Sequence, residues 1–186
     1  MAAKAPREMT EVEHCVLGAI WLRGPCSAYA IRQEFAQSST SFWSSSAGSI
    51  YPVIERLIEA RLIVSTADKA DGRGKRVLAA TPAGMSALRS WIGEVPDWAG
   101  KATLDPIRTR LNFIAALTSV TAQRSFVQRA EDCTREALGG LEAFLAAEDY
   151  RDEAERLAAL GSICELEGRL KWLAVVRKAL QRRRIR

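Results

Sequence analysis

Gly48-Ser49-Ile50-Tyr51-Pro52-Val53-Ile54-Glu55-Arg56-Leu57-Ile58 is the run that decides how the rest of this 186-residue chain is read. Ile50, Val53, Ile54, Leu57 and Ile58 recur three and four residues apart, so one face of a helix is apolar, while Ser49, Glu55, Arg56 and Glu59 fall mostly on the other. Pro52 would break a helix interior, but in a first turn its missing N–H is no loss. It therefore places the start near Ser49, and the spacing predicts a helix over about 48–60.

Upstream, Thr10 followed by Glu13 forms a capping box, and Val12, Val16, Ala19 and Ile20 continue at helical spacing to about Arg23. Gly24-Pro25-Cys26 ends that helix, and Ser27 caps a second one carrying Tyr29, Ile31 and Phe35. The Ser- and Thr-rich stretch from Gln37 to Ser46, with Phe42 and Trp43 inside it, reads as a turn pinned by two aromatics. Downstream, Leu62-Ile63-Val64-Ser65-Thr66 and Arg76-Val77-Leu78-Ala79-Ala80 are strands around a tip holding Asp71-Gly72 and Gly74. Thr81 then caps a helix with Pro82 in its first position and Met85, Leu88 and Ile92 as its stripe.

Three short helices followed by a two-stranded hairpin is the order of a winged helix-turn-helix, whose third helix should enter the major groove of DNA. The hairpin tip sets Lys69, Arg73, Lys75 and Arg76 against Asp68 and Asp71, between glycines that let backbone approach a phosphate. The bland alternative is a solvated charged turn.

The first 92 residues also resemble the PadR family. The resemblance is carried by Val16-Leu17-Gly18, Gly24-Pro25 with Tyr29, Gly48-Ser49-Ile50-Tyr51-Pro52 with Arg56-Leu57, Leu62-Ile63, and Thr81-Pro82-Ala83-Gly84 with Trp91. It implies a transcription regulator, often a repressor, dimeric through C-terminal helices and in many members responsive to phenolic or hydrophobic small molecules. Carried over by position, Ser49, Tyr51 and Arg56 lie on or beside the groove-entering helix, and Arg73 and Lys75 near the DNA backbone. Tyr29, Ser46 and Arg76 complete the expected DNA-binding set. A tyrosine in a first turn can give its hydroxyl to a phosphate or pack as a core aromatic, and serines there can bind an anion or simply cap. Two departures stand out: Arg61 where the family usually has Gly after this helix, and Leu78-Ala79-Ala80 where it usually has a Tyr and a Leu.

Gly93 to about Thr103 mixes Gly, Pro and polar residues, so the expected organisation is a DNA-binding domain over 1–92, a linker over 93–104 and a helical domain over 105–186. Asp105-Pro106 opens a helix with Ile107, Leu111 and Ile114. A second, from about Thr121, carries Phe126, Ala130, Cys133, Leu138, Leu141 and Phe144, and Gly139-Gly140 should weaken or bend it. The last, from about Asp152, spaces Leu160, Ile163, Leu166, Leu170, Leu173, Val176 and Leu180 by three or four. Such a long stripe would stay wet on a lone helix hairpin, so Leu160 to Val176 are expected to dimerise; the alternative is that the stripe packs only on the chain's own helices. The fold class is thus mainly α with a small β wing. Arg182-Arg183-Arg184 and Arg186 suit the C-terminal helix dipole.

A net charge of +5 permits a polyanionic partner without demanding one. No apolar run is long enough for a membrane helix and no secretory signal is visible, so a cytoplasmic location is expected. The four cysteines are scattered and His14 is the only histidine, so neither a metal site nor any other cofactor is expected, and the thiols read as small buried hydrophobes. Catalysis finds no nucleophile beside a base, and Gly72-Arg73-Gly74-Lys75 lacks the spacing of a phosphate loop and runs into a strand. The expected partners are double-stranded DNA, a second copy of the chain, and a small hydrophobic or phenolic ligand walled by Trp21, Trp91 or Trp172, although ordinary core tryptophans would look the same. A winged-helix protein-interaction module without DNA binding is the rival reading, kept open by Glu55 and Glu59 beside Arg56.

Overall fold

The computed structural model describes residues 8–38, 41–67, 76–100, 105–148 and 150–182. The chain divides into two compact units, Met1–Ala99 and Gly100–Arg186. The architecture is mainly helical with one antiparallel hairpin, as the sequence pattern predicts.

In the first unit, α1 (Glu11–Arg23) opens with the Thr10/Glu13 capping box formed in full, and α2 (Ala28–Gln37) is capped by the Ser27 hydroxyl. The stretch expected as a turn folds further than its sequence suggests. It forms α3 (Ser41–Ser46) and a 3-10 turn over Ala47–Ser49, so the apolar helix starts at Ile50 and is the fourth, α4 (Ile50–Glu59). Serine runs are weak helix formers because their hydroxyls compete for backbone. Here the Trp43 ring stacks on Phe35 of α2, centroids 4.5 Å apart, and burial outweighs propensity. The Phe42 ring lies outside the described side chains.

The hairpin pairs β1 (Ile63–Ala67) with β2 (Arg76–Ala80), Ile63 opposite Ala80. Cys26, expected only to end a helix, adds a bridge on the other edge of β2: its N–H donates to the Leu78 carbonyl (3.1 Å) and its carbonyl accepts from Leu78 (2.7 Å). α5 (Pro82–Gly93) follows with Thr81 as its cap. Ile92 leaves the predicted stripe and is 64% exposed, because Trp91, three rather than four residues after Leu88, turns toward the core. That core gathers Leu17 and Ile20 of α1, Ile31 and Phe35 of α2, Ile50 and Leu57 of α4, and Ile63, all fully buried. Burial pushes the Cys15 thiol up to about 11, helped by the Glu11 charge, so it is an inert apolar filler.

The second unit contains α6 (Pro106–Leu111), α7 (Val120–Ala146) and α8 (Glu153–Arg182). Asp105 caps α6 by accepting from Ile107 (2.8 Å) and Arg108 (3.1 Å), and it pairs with Arg169 of α8 at 2.9 Å. Burial works against the charge, but those N–H groups and the Arg169 guanidinium hold its carboxyl below the usual range. α7 runs unbroken through Gly139-Gly140. Its buried seam is Gln123, Val127, Ala130, Glu131, Thr134 and Leu141, half of it polar, whereas Cys133, predicted inward, is exposed, as is Cys164. Thr134 donates to the Ala130 carbonyl (2.7 Å), Glu131 accepts from Arg135 (2.9 Å) and from Arg177 of α8 (3.1 Å), and the Gln123 amide donates to the Leu117 carbonyl (2.9 Å) while its buried Oε1 has no partner among the described residues. No described helix is long and apolar enough to cross a membrane.

Candidate nucleic-acid interface

α4 is held from behind and presents its outer face. Ile50, Val53, Ile54 and Leu57 are buried, while Tyr51, Pro52, Glu55, Arg56 and Glu59 are exposed. The Ser49 hydroxyl donates to the Ser46 carbonyl (2.8 Å) instead of capping α4, so these two residues form one turn ahead of the helix. On α2, Tyr29 is 57% exposed and its hydroxyl accepts from the Gln33 amide, leaving the phenolic proton to give elsewhere. Tyr51 is 46% exposed, so neither ring is a core aromatic. Arg32 of α2 is exposed as well, a cation on the outer surface that periodicity did not single out.

Arg56 has a different setting. Its Nε donates to Glu13 Oε1 at 2.6 Å, and Glu13 is 1% exposed, its other oxygen accepting the Thr10 N–H at 2.8 Å. The capping box is therefore also a brace from α1 to α4, and Arg56 supplies the countercharge that lets a carboxylate be buried. Nothing in the sequence tells a capping Glu from a capping Glu that is also buried. A second brace joins the end of α1 to α2, where Arg23 pairs with Glu34.

Arg76 spans the hairpin, donating from Nε to the Ser65 hydroxyl (2.8 Å) and from Nη2 to the Ser65 carbonyl (2.8 Å). Its guanidinium ties the two strands together toward the tip end of the hairpin. Arg73 and Lys75 of the tip, like Arg183, Arg184 and Arg186 of the tail, lie outside the described residues.

The junction from α4 into β1 is a Schellman exit: Leu62 N–H donates to the Leu57 carbonyl and Arg61 N–H to the Ile58 carbonyl, both at 2.9 Å. Arg61 adopts the left-handed conformation itself, with φ 58°. The Thr81 hydroxyl donates toward the Arg61 carbonyl (2.8 Å) and the Leu62 carbonyl (3.1 Å) while accepting from Gly84 N–H (3.0 Å). Gly84 is required there, since a Cβ would come within 2.1 Å of the Leu62 oxygen. The Thr-Pro-Ala-Gly motif thus clamps the start of α5 onto the chain leaving α4.

Each of the three tryptophans has its setting within its own unit. Trp21 is 49% exposed and lines an open cavity of about 360 Å³ with Met85 and Arg89. Trp91 stacks on His14, centroids 5.0 Å apart, and donates to Glu11 (3.2 Å). Trp172 belongs to the second unit, half-buried against its core. Of the predicted dimerising residues, Leu173 is fully buried and Val176 nearly so in that same core, packed with Val127 and Leu180. Leu160, Ile163, Leu166 and Leu170 are half-buried. The stripe was legible, but its C-terminal part is consumed inside the chain.

Comparison with known proteins agrees with this geometry. Residues 16–90 match the transcriptional regulator PadR-like family. The chain is similar to Bacillus subtilis PadR in complex with operator DNA, with a TM-score of 0.77 at 17% identity over 93% of this chain and 99% of that one. The same protein in complex with p-coumaric acid gives 0.71 at 18% identity over 95% and 99%. A PadR-like transcriptional regulator of Bacillus cereus gives 0.73 at 17% identity over 96% and 99%. At such identities the structural likeness speaks for the fold. No curated protein matches this chain in sequence.

Proposed function

We propose that this chain, whose winged-helix unit belongs to the PadR-like family of transcriptional regulators, is a homodimeric repressor that binds a two-fold DNA operator and is released by a small hydrophobic or phenolic effector. The observation that carries the reading is the division of α4 into a fully buried face and an outer face that leaves Tyr51 exposed, with the Ser46–Ser49 turn just ahead of it. Hydroxyls in a first turn suit phosphate contacts that set register, and Tyr29 and Arg32 of α2 add a second line of contact. Arg73 and Lys75 act from the wing tip, whereas Arg56 and Arg76 contribute by stiffening α4 and the hairpin. Leu160, Ile163, Leu166 and Leu170 form the contact between copies. That PadR of B. subtilis is seen with operator DNA and with p-coumaric acid supports both partners for this chain.

The rival is a protein-interaction module. It is favoured by Glu55 and Glu59, which are exposed while Arg56 is engaged by Glu13, so the outer face of α4 is not cationic. Titrating tiled duplexes from upstream of the chain's own gene across several salt concentrations decides between the two. A dimeric regulator gives saturable binding to one tile that weakens steeply with salt, and Arg73→Ala with Lys75→Ala flattens the salt slope by about two. Uniformly weak binding to every tile favours the interaction module.

A further inference from the structure

The α7–α8 hairpin of the second unit holds a cavity of about 190 Å³ lined by Arg124, Gln128, Arg177, Leu180 and Gln181. Two guanidiniums from different helices line it, with no carboxylate among the lining residues. Each is held by one hydrogen bond. Arg124 Nη2 donates to the Leu180 carbonyl at 3.2 Å, and Arg177 Nε donates at 3.1 Å to Glu131, which is buried and held on its other oxygen by Arg135. A guanidinium carries five N–H groups, so these anchors leave most of them unspent.

Glu131 is shared by Arg177 and Arg135, and Asp132 accepts from Gln128 (2.9 Å) and Arg135 (3.0 Å). Arg135 and Arg177 thus share Glu131 and Asp132, and Arg124, which has no carboxylate partner among the described residues, lines the cavity beside Arg177. Capping the α8 carbonyl accounts for one N–H of Arg124, but not for two arginines lining one cavity.

We infer that this cavity binds a small oxyanion, a phosphate or a carboxylate head group, gripped by the terminal nitrogens of Arg124 and Arg177. Planar guanidiniums match such ligands bidentately, and Leu180 offers an apolar wall for a short organic body. At roughly 30 Å³ per water the space equals about six waters, enough for the head group and a few carbons.

Calorimetric titration of the full chain with sodium phosphate and, separately, sodium benzoate tests this, in chloride at constant ionic strength. Saturable binding is expected for at least one probe, weakened about tenfold or more by Arg124→Gln and by Arg177→Lys. Phosphate alone would identify an inorganic oxyanion, and benzoate alone a carboxylate with an apolar body. The inference fails if neither probe binds saturably, or if both folded variants bind as the parent does. Arg177→Lys disturbs the partner of buried Glu131; if it misfolds by circular dichroism, Arg124→Gln, which gives up only a carbonyl contact, decides alone. If Arg124→Gln weakens self-association in sedimentation and no anion binds, the arginines serve a contact between copies and the inference is overturned.

Discussion

At the scale of single residues, what matters most is how near one backbone comes to another. Gly84 has an ordinary helical position, yet the Leu62 carbonyl occupies the space a side chain would need. Gly84→Ala must therefore move the start of α5 or the exit of α4, and should cost about 3 kcal/mol or more. Urea denaturation measures it, and a loss under about 1 kcal/mol would mean the junction gives way easily. Glu13 makes the complementary point. Its place in a capping box was legible from spacing alone, but its burial and its bond to Arg56, 43 positions away, were not. Spacing reports neighbours along a helix; it carries no information about what a second helix brings to the same carboxylate.

At the scale of elements, caps and turns explain most of the agreement between pattern and structure. Thr10, Ser27, Thr81 and Asp105 each cap the helix that they were expected to cap, because a side-chain oxygen meeting free N–H groups is a local arrangement. Arg61 shows an element end working against its residue: the Schellman exit demands positive φ and a non-glycine supplies it. A left-handed side-chain residue costs about 1–2 kcal/mol, while glycine loses more freedom on folding, about 0.4–1 kcal/mol. Arg61→Gly should thus stabilise the winged helix by about 0.5 kcal/mol in urea denaturation. A clear loss instead would mean that the arginine side chain contributes more than its backbone strain costs. α3 is where local reasoning fell short: six residues from Ser41 to Ser46 hold no cap or apolar period, and they fold because Trp43 finds the Phe35 ring.

At the scale of the whole molecule, the apolar stripe of α8 divides into two. Leu173→Ala opens a hole in the chain's own core and should cost about 2–5 kcal/mol, seen as a lower melting temperature. Leu166→Glu with Leu170→Glu touches half-buried positions instead and should yield folded monomers in sedimentation velocity, the circular dichroism spectrum keeping its helical form. A double variant that stays dimeric would move the proposed interface elsewhere. The amino-acid sequence by itself determined the α-helices other than α3, the hairpin, the caps and the winged-helix class, since periodicity, prolines and hydroxyl caps all act within a few residues. Only the tertiary structure decided that Arg56 and Arg76 are braces, that half the buried seam of α7 is polar, and that Leu173 and Val176 belong to the chain's own core. The reason is physical: which side of an amphipathic element stays wet, and which charge is neutralised, depend on partners far away in sequence.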